Sequence, residues 1–117
     1  MASTTINDFY SVGTTENEII LKITIKQAQI SKSTVRLNKQ PIGEFQDSFK
    51  VSLGKASDIV GKVLYVDTSE ADIDPDSDVT SFTLMLTGGP DDYKNQRVQT
   101  VTPGGFVLYT AEIALIP

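Results

Sequence analysis

Residues 18–27 read EIILKITIKQ. Ile19, Leu21, Ile23 and Ile25 fall on one side of an extended chain and Lys22, Thr24 and Lys26 on the other, which is the alternation of a half-buried strand. The same period of two returns in SFKVSLG (48–54), where Phe49, Val51 and Leu53 oppose Lys50 and Ser52. It returns again in VTSFTLMLT (79–87), where Phe82, Leu84 and Leu86 oppose Ser81, Thr83 and Met85. β-branched and aromatic residues are frequent in these runs, as strands prefer.

Working outward from them gives eight candidate strands: 4–11, 18–29, 33–38, 45–53, 61–68, 79–87, 95–102 and 105–116. No stretch of ten or more residues carries a 3.6-residue stripe. KASDIVGK (55–62) supports one helical turn at most, because it is short and Gly61 interrupts it. The expected fold is all-β: a single antiparallel β-sandwich of about eight strands spanning 1–117, jelly-roll or immunoglobulin-like, with no substantial helix. A Cys…Trp…Cys framework is absent from the sequence, so an antibody-type disulfide does not enter. Residues 1–10 fit an arm, a first strand or a disordered end.

Thr102-Pro103-Gly104-Gly105 suits a type II turn, with proline presetting φ at the second position and glycine accepting positive φ at the third. It predicts that RVQTV (97–101) and FVLYTAEIALI (106–116) form a hairpin. TGGPDDY (87–93) and KQPIGE (39–44) read as further connections. The glycines of the former are followed by two aspartates and no lysine, so a phosphate cradle does not fit.

The last strand is apolar on both faces. Val107, Tyr109, Ala111, Ile113 and Leu115 share one side; Phe106, Leu108, Thr110, Glu112, Ala114 and Ile116 share the other. Such a strand is expected at the centre of a sheet, covered on both sides by its own chain or on one side by another subunit.

Charge is unevenly placed. Residues 1–62 hold eight Lys/Arg against six Asp/Glu, and residues 63–117 hold two against nine, for a net −5. An acidic chain with only two arginines is poorly made for a nucleic-acid backbone. If Lys22, Lys26, Lys32, Arg36 and Lys39 share a face that meets the acidic loop (67–78) of another copy, the contact should be weakened by salt.

The densest charge is DTSEADIDPDSD (67–78), six carboxylates in twelve residues. Asp72, Asp74, Asp76 and Asp78 open like a calcium loop, whose carboxylates suit a hard cation. The pattern then departs: Ser77 stands where a calcium loop of the helical-hand type turns on glycine, Thr83 where it uses a bidentate glutamate, and Pro75 opposes a tight curl. Asp91 and Asp92 could add ligands if the two loops meet. The alternative reading is a solvated connection that protects neighbouring strands from pairing with other chains.

The chain has no histidine and no cysteine, which removes the commonest general base, the best side-chain nucleophile and ordinary zinc or copper sites. Glu44, Asp47 and Glu112 are the acids from which a glycosidase-like pair could be drawn. Elimination therefore points to a protein that is not an enzyme and has no cofactor, calcium being the candidate exception. Its expected role is as an assembly or accessory subunit acting through protein contacts, with itself as one partner and no nucleic acid or membrane. The alternative is a calcium-dependent or carbohydrate-binding module using loops at one end. Without an apolar leader or a membrane-length run, the default location is cytoplasmic; a secreted protein trimmed of its leader would read the same.

Overall fold

A computed structural model describes residues 2–26, 29–72, 79–101 and 105–117. Among them are nine strands: β1 (Ala2–Ser11), β2 (Glu18–Ile25), β3 (Gln29–Leu37), β4 (Gln40–Gln46), β5 (Phe49–Lys55), β6 (Val63–Asp72), β7 (Val79–Thr87), β8 (Tyr93–Thr100) and β9 (Phe106–Ile116). The single helical turn, α1, is Ala56–Ile59, where KASDIVGK allowed one. The strands form two packed sheets, of order β1-β9-β6-β3-β4 and β5-β2-β7-β8, in a sandwich-like, all-β arrangement.

The alternating pattern chooses the inner faces. Ile19, Leu21, Ile23 and Ile25 of β2 and Phe82, Leu84 and Leu86 of β7 are buried, facing Leu64 and Val66 of β6 and Tyr109, Ile113 and Leu115 of β9. Each such side chain removed from water contributes about 1.5–3 kcal/mol, which makes this inner layer the main source of stability.

The fold differs from the sequence expectation in four ways. The sheets are not wholly antiparallel: β1 runs parallel to β9 in unbroken register from Ala2↔Val107 to Ser11↔Ile116. There are nine strands and not eight, because the run 45–53 is two strands in different sheets. Asp47 takes a left-handed φ of 57° at the corner between them, its carboxylate accepting from the Ser31 N–H at 3.2 Å. The next residue, Ser48, accepts the Ile25 N–H at 2.8 Å and so closes the end of β2. Likewise the run 18–29 divides into β2 and the start of β3.

KQPIGE is the third difference: from Gln40 onward it belongs to β4. Pro41 is tolerated because β4 is an edge strand, where a ladder donor is dispensable. The turn lies instead at Asn38-Lys39, with Asn38 at φ 50°. The fourth is the expected hairpin. β8 pairs with β7 and β9 pairs with β1 and β6, so the chain changes sheets between them; Thr102–Gly104 lie outside the described residues.

The two open sides of the sandwich are clasped differently. On one side Phe45 of β4 stacks on Phe49 of β5, ring centroids 4.3 Å apart. On the other, β1 reaches β8 through side chains: Thr4 Oγ1 donates to Gln99 Oε1 (3.2 Å) and Tyr93 OH to Asp8 Oδ2 (2.9 Å).

Candidate functional site

The acids singled out above are not brought together. β6 ends at Asp72, while Asp74, Asp76 and Asp78 lie outside the described residues. Among the described residues no group of three or more acidic side chains is placed to hold a metal ion. Asp91 and Asp92 follow Thr87 at the far end of β7, whereas Asp72 and Val79 lie at the opposite end. A nine-residue strand spans roughly 27 Å, so these two aspartates and the ends of the acidic segment are not neighbours.

Part of that segment is not a loop. Residues 67–72 are strand, and Glu70 points inward with no exposure to solvent. It sits in a polar end of the core with Ser31, Ser33, Thr68 and Thr80, all buried. Ser33 Oγ and Thr68 Oγ1 are 2.7 Å apart, and Thr80 Oγ1 lies 2.7 Å from the Tyr109 hydroxyl while donating to the Gln99 carbonyl at 3.0 Å. Burial, with the Glu70 charge adding to it, pushes the Tyr109 hydroxyl above its ordinary value.

Glu44 and Glu112 cannot act as a pair. They stand on β4 and β9 with β6 and β3 between, about 14 Å apart at strand spacing of 4.8 Å, beyond the reach of a glycosidase pair. Glu44 is 3.6 Å from Lys32, and Asp47 is engaged at its corner.

The five cations expected on one face are divided. Lys22 belongs to the four-stranded sheet, Lys32 and Arg36 to the outer face of the five-stranded sheet, and Lys39 to the β3–β4 turn, while Lys26 follows the end of β2. Arg36 lies over the Tyr65 ring at 3.8 Å. A different set assembles in their place. Lys50 pairs with Lys22, Lys22 with Met85, and Met85 with Lys94, so one row across all four strands of the outer face reads Lys50–Lys22–Met85–Lys94.

This row is chemically clean. The four strands carry one carboxylate, Glu18, which stands at the end of β2 opposite Lys55. None of Lys22, Lys50 and Lys94 has a carboxylate at ion-pairing distance among the described residues. Directly opposed like charges cost stability, so the Lys22–Lys50 pair is not explained by folding. Sequence reasoning found Lys22 but not its companions, because their adjacency follows from which strands pair; the absence of acids from 20–26, 48–53, 79–87 and 93–100 was the available signal.

A groove of about 300 Å³ lies where β3, β4 and β6 end, lined by Ile30, Lys32, Gln46, Asp47, Ser69 and Ala71. That is the lower limit for small-molecule sites. Among the described residues no helix is long and apolar enough to cross a membrane. Comparison with protein-family models, with curated proteins and with solved structures finds no match for this chain.

Proposed function

We propose that this protein is a non-catalytic assembly module that works through protein–protein contacts, presenting the outer face of β5-β2-β7-β8 to an acidic protein surface. The observation that carries this reading is the Lys50–Lys22–Met85–Lys94 row on a sheet face whose one carboxylate, Glu18, lies at its end opposite Lys55. The three lysines carry +3 in a chain of net −5, leaving −8 for the rest. Another copy therefore supplies a complementary surface. Because a basic face meeting a different, acidic face is a heterologous contact, it repeats from copy to copy instead of closing on itself. Met85 gives the row an apolar, adaptable centre. In strand count, five and four, the immunoglobulin-like type suits the sandwich better than an eight-stranded jelly roll.

Light scattering at low and high salt tests the proposal. The expected result is mass that grows with concentration at low salt, falls back as salt screens the contact, and fails to grow in the Lys22→Glu, Lys50→Glu, Lys94→Glu triple variant. A mass indifferent to both salt and the triple variant refutes it.

A further inference from the structure

A second surface, independent of the lysine row, lies at the free edge of β1. The two sheets have four edge strands, β1, β4, β5 and β8, and an unpaired edge is a template for another chain unless something blunts it. Three are blunted. β4 carries Pro41 and faces an irregularity in register at Val35/Arg36. β5 carries Lys50, Lys55 and Gly54 and faces a register shift at Ile19/Ile20. β8 carries Lys94 and Arg97.

β1 has none of these devices. It is ten residues long, ASTTINDFYS, without proline, glycine, lysine or arginine, and its register with β9 is unbroken. Its one charge, Asp8, accepts from Tyr93 of the other sheet through Oδ2, while Oδ1 takes the Phe9 N–H. Ser3, Thr5, Asn7 and Phe9 are all exposed, and Phe9 at 62% is the most exposed of the large apolar side chains described.

The backbone shows which groups are on offer. The Val12 N–H donates to the Ile116 carbonyl of β9 at 2.8 Å, while the Phe9 N–H turns to its own neighbour, the Asp8 carboxylate, at 2.8 Å. Amides alternate sides along a strand, so Ser3, Thr5, Asn7 and Phe9 direct theirs to the open edge. A strand with donors and acceptors at alternate residues, whose one carboxylate at the edge engages only the Phe9 amide, is complementary to itself when run antiparallel about a twofold axis.

We infer that β1 pairs antiparallel with β1 of a second copy, joining two five-stranded sheets into one of ten. A register centred on Ile6 sets Ser3 opposite the partner's Phe9 and Thr5 opposite the partner's Asn7. Each of these is an edge-facing pair, giving about eight backbone hydrogen bonds. It opposes no like charges, since Asp8 meets the partner's Thr4. It also gives Phe9 a place: its ring lies over the partner's small Ser3, beside which Leu108 stands on β9. A second copy is the occupant argued for because every requirement of the pairing is met by this strand's own residues. The Phe9 amide exchanges its bond to Asp8 for one across the interface.

Sedimentation or light scattering on the purified chain, with amide hydrogen exchange, tests it. At high salt or in the lysine triple variant, where the salt-sensitive contact is silent, the expected mass is twice the 12.7 kDa of the chain, with slowed exchange at Ser3, Thr5, Asn7 and Phe9. Asn7→Pro removes one edge donor without touching the β9 ladder and should return the mass to that of one chain, with the melting temperature corrected for concentration held. Asn7→Lys, which puts a charge on the edge, should do the same and serves if the proline variant does not fold. A wild-type chain that stays monomeric up to millimolar concentration, as it would if the edge took a strand of another protein, overturns the inference. So does a dimer whose four edge amides exchange freely, or one that persists in both folded variants.

Discussion

The Tyr10 hydroxyl accepts the Gly89 N–H at 3.0 Å and donates to the Asp91 carbonyl at 2.6 Å. One phenol of β1 thus ties the β7–β8 loop to the other sheet, and the loop approaches closely enough that a Cβ on Gly89 would stand 2.7 Å from the Tyr10 oxygen. Gly88 beside it holds φ at 106°, with a Cβ there colliding with the Glu18 carbonyl. The glycines read as a turn are needed for a close approach of backbone to backbone.

Tyr10→Phe should therefore destabilise the fold by about 1–3 kcal/mol, since it strands a donor and an acceptor at a largely buried position. Gly88→Ala should cost more, because it adds an unfavourable φ to a backbone collision. Urea unfolding of the two variants should rank them in that order; a Gly88→Ala protein as stable as wild type would show that the loop does not pack as described.

The Phe45–Phe49 stack closes the side of the sandwich opposite β1. A double-mutant cycle to leucine at the two positions should return a coupling of about 0.5–1.5 kcal/mol. Gly43→Ala should weaken the same contact, as its Cβ would press to 3.1 Å on the Phe45 ring. A coupling of zero would mean that the rings are adjacent without cooperating.

Three tyrosines give the fold a limit at alkaline pH. Burial raises the hydroxyls of Tyr10, Tyr93 and Tyr109 above their ordinary value of 10.0, and nearby carboxylates reinforce it: Asp92 and Asp91 for Tyr10, Asp8 for Tyr93, Glu70 for Tyr109. A group whose folded value is raised keeps its proton in the native state after the unfolded chain has lost it. The stability it contributes is whole below pH 10 and is lost as pH climbs through the folded value. Denaturant midpoints should hold up to pH 10.0, the ordinary tyrosine value, and fall from there as pH climbs to the folded value, and the fall should be shallower in Tyr109→Phe measured against its own neutral-pH stability.

The Lys22–Lys50 pair makes a prediction of opposite sign for stability and for association. Lys50→Glu exchanges a directly opposed like pair for an opposite one and should stabilise the fold by about 0.2–1 kcal/mol at low salt, less as salt rises. It should weaken the salt-sensitive assembly proposed for this face. Thermal unfolding and light scattering on the same variant separate the two; loss of stability would mean that the lysines are serving the fold.

The inner faces of β2 and β7 were legible in the sequence because they depend on a local rule: alternate residues leave an extended chain on opposite sides, so Ile19, Leu21, Ile23, Phe82 and Leu84 name the core without their partners, whereas β9, apolar on both sides, left its inner face open. The extent of β7, 79–87, was legible for the same reason. Which strand lies beside which is a matter of contacts between distant residues. Only the tertiary structure set β8 and β9 in different sheets, ran β1 parallel to β9, turned Glu70 inward, and placed Lys50 and Lys94 in one row with Lys22. Local pattern fixes the face a side chain takes; the neighbour across the sheet is fixed by burial summed over the whole core, and no short stretch of chain contains that sum.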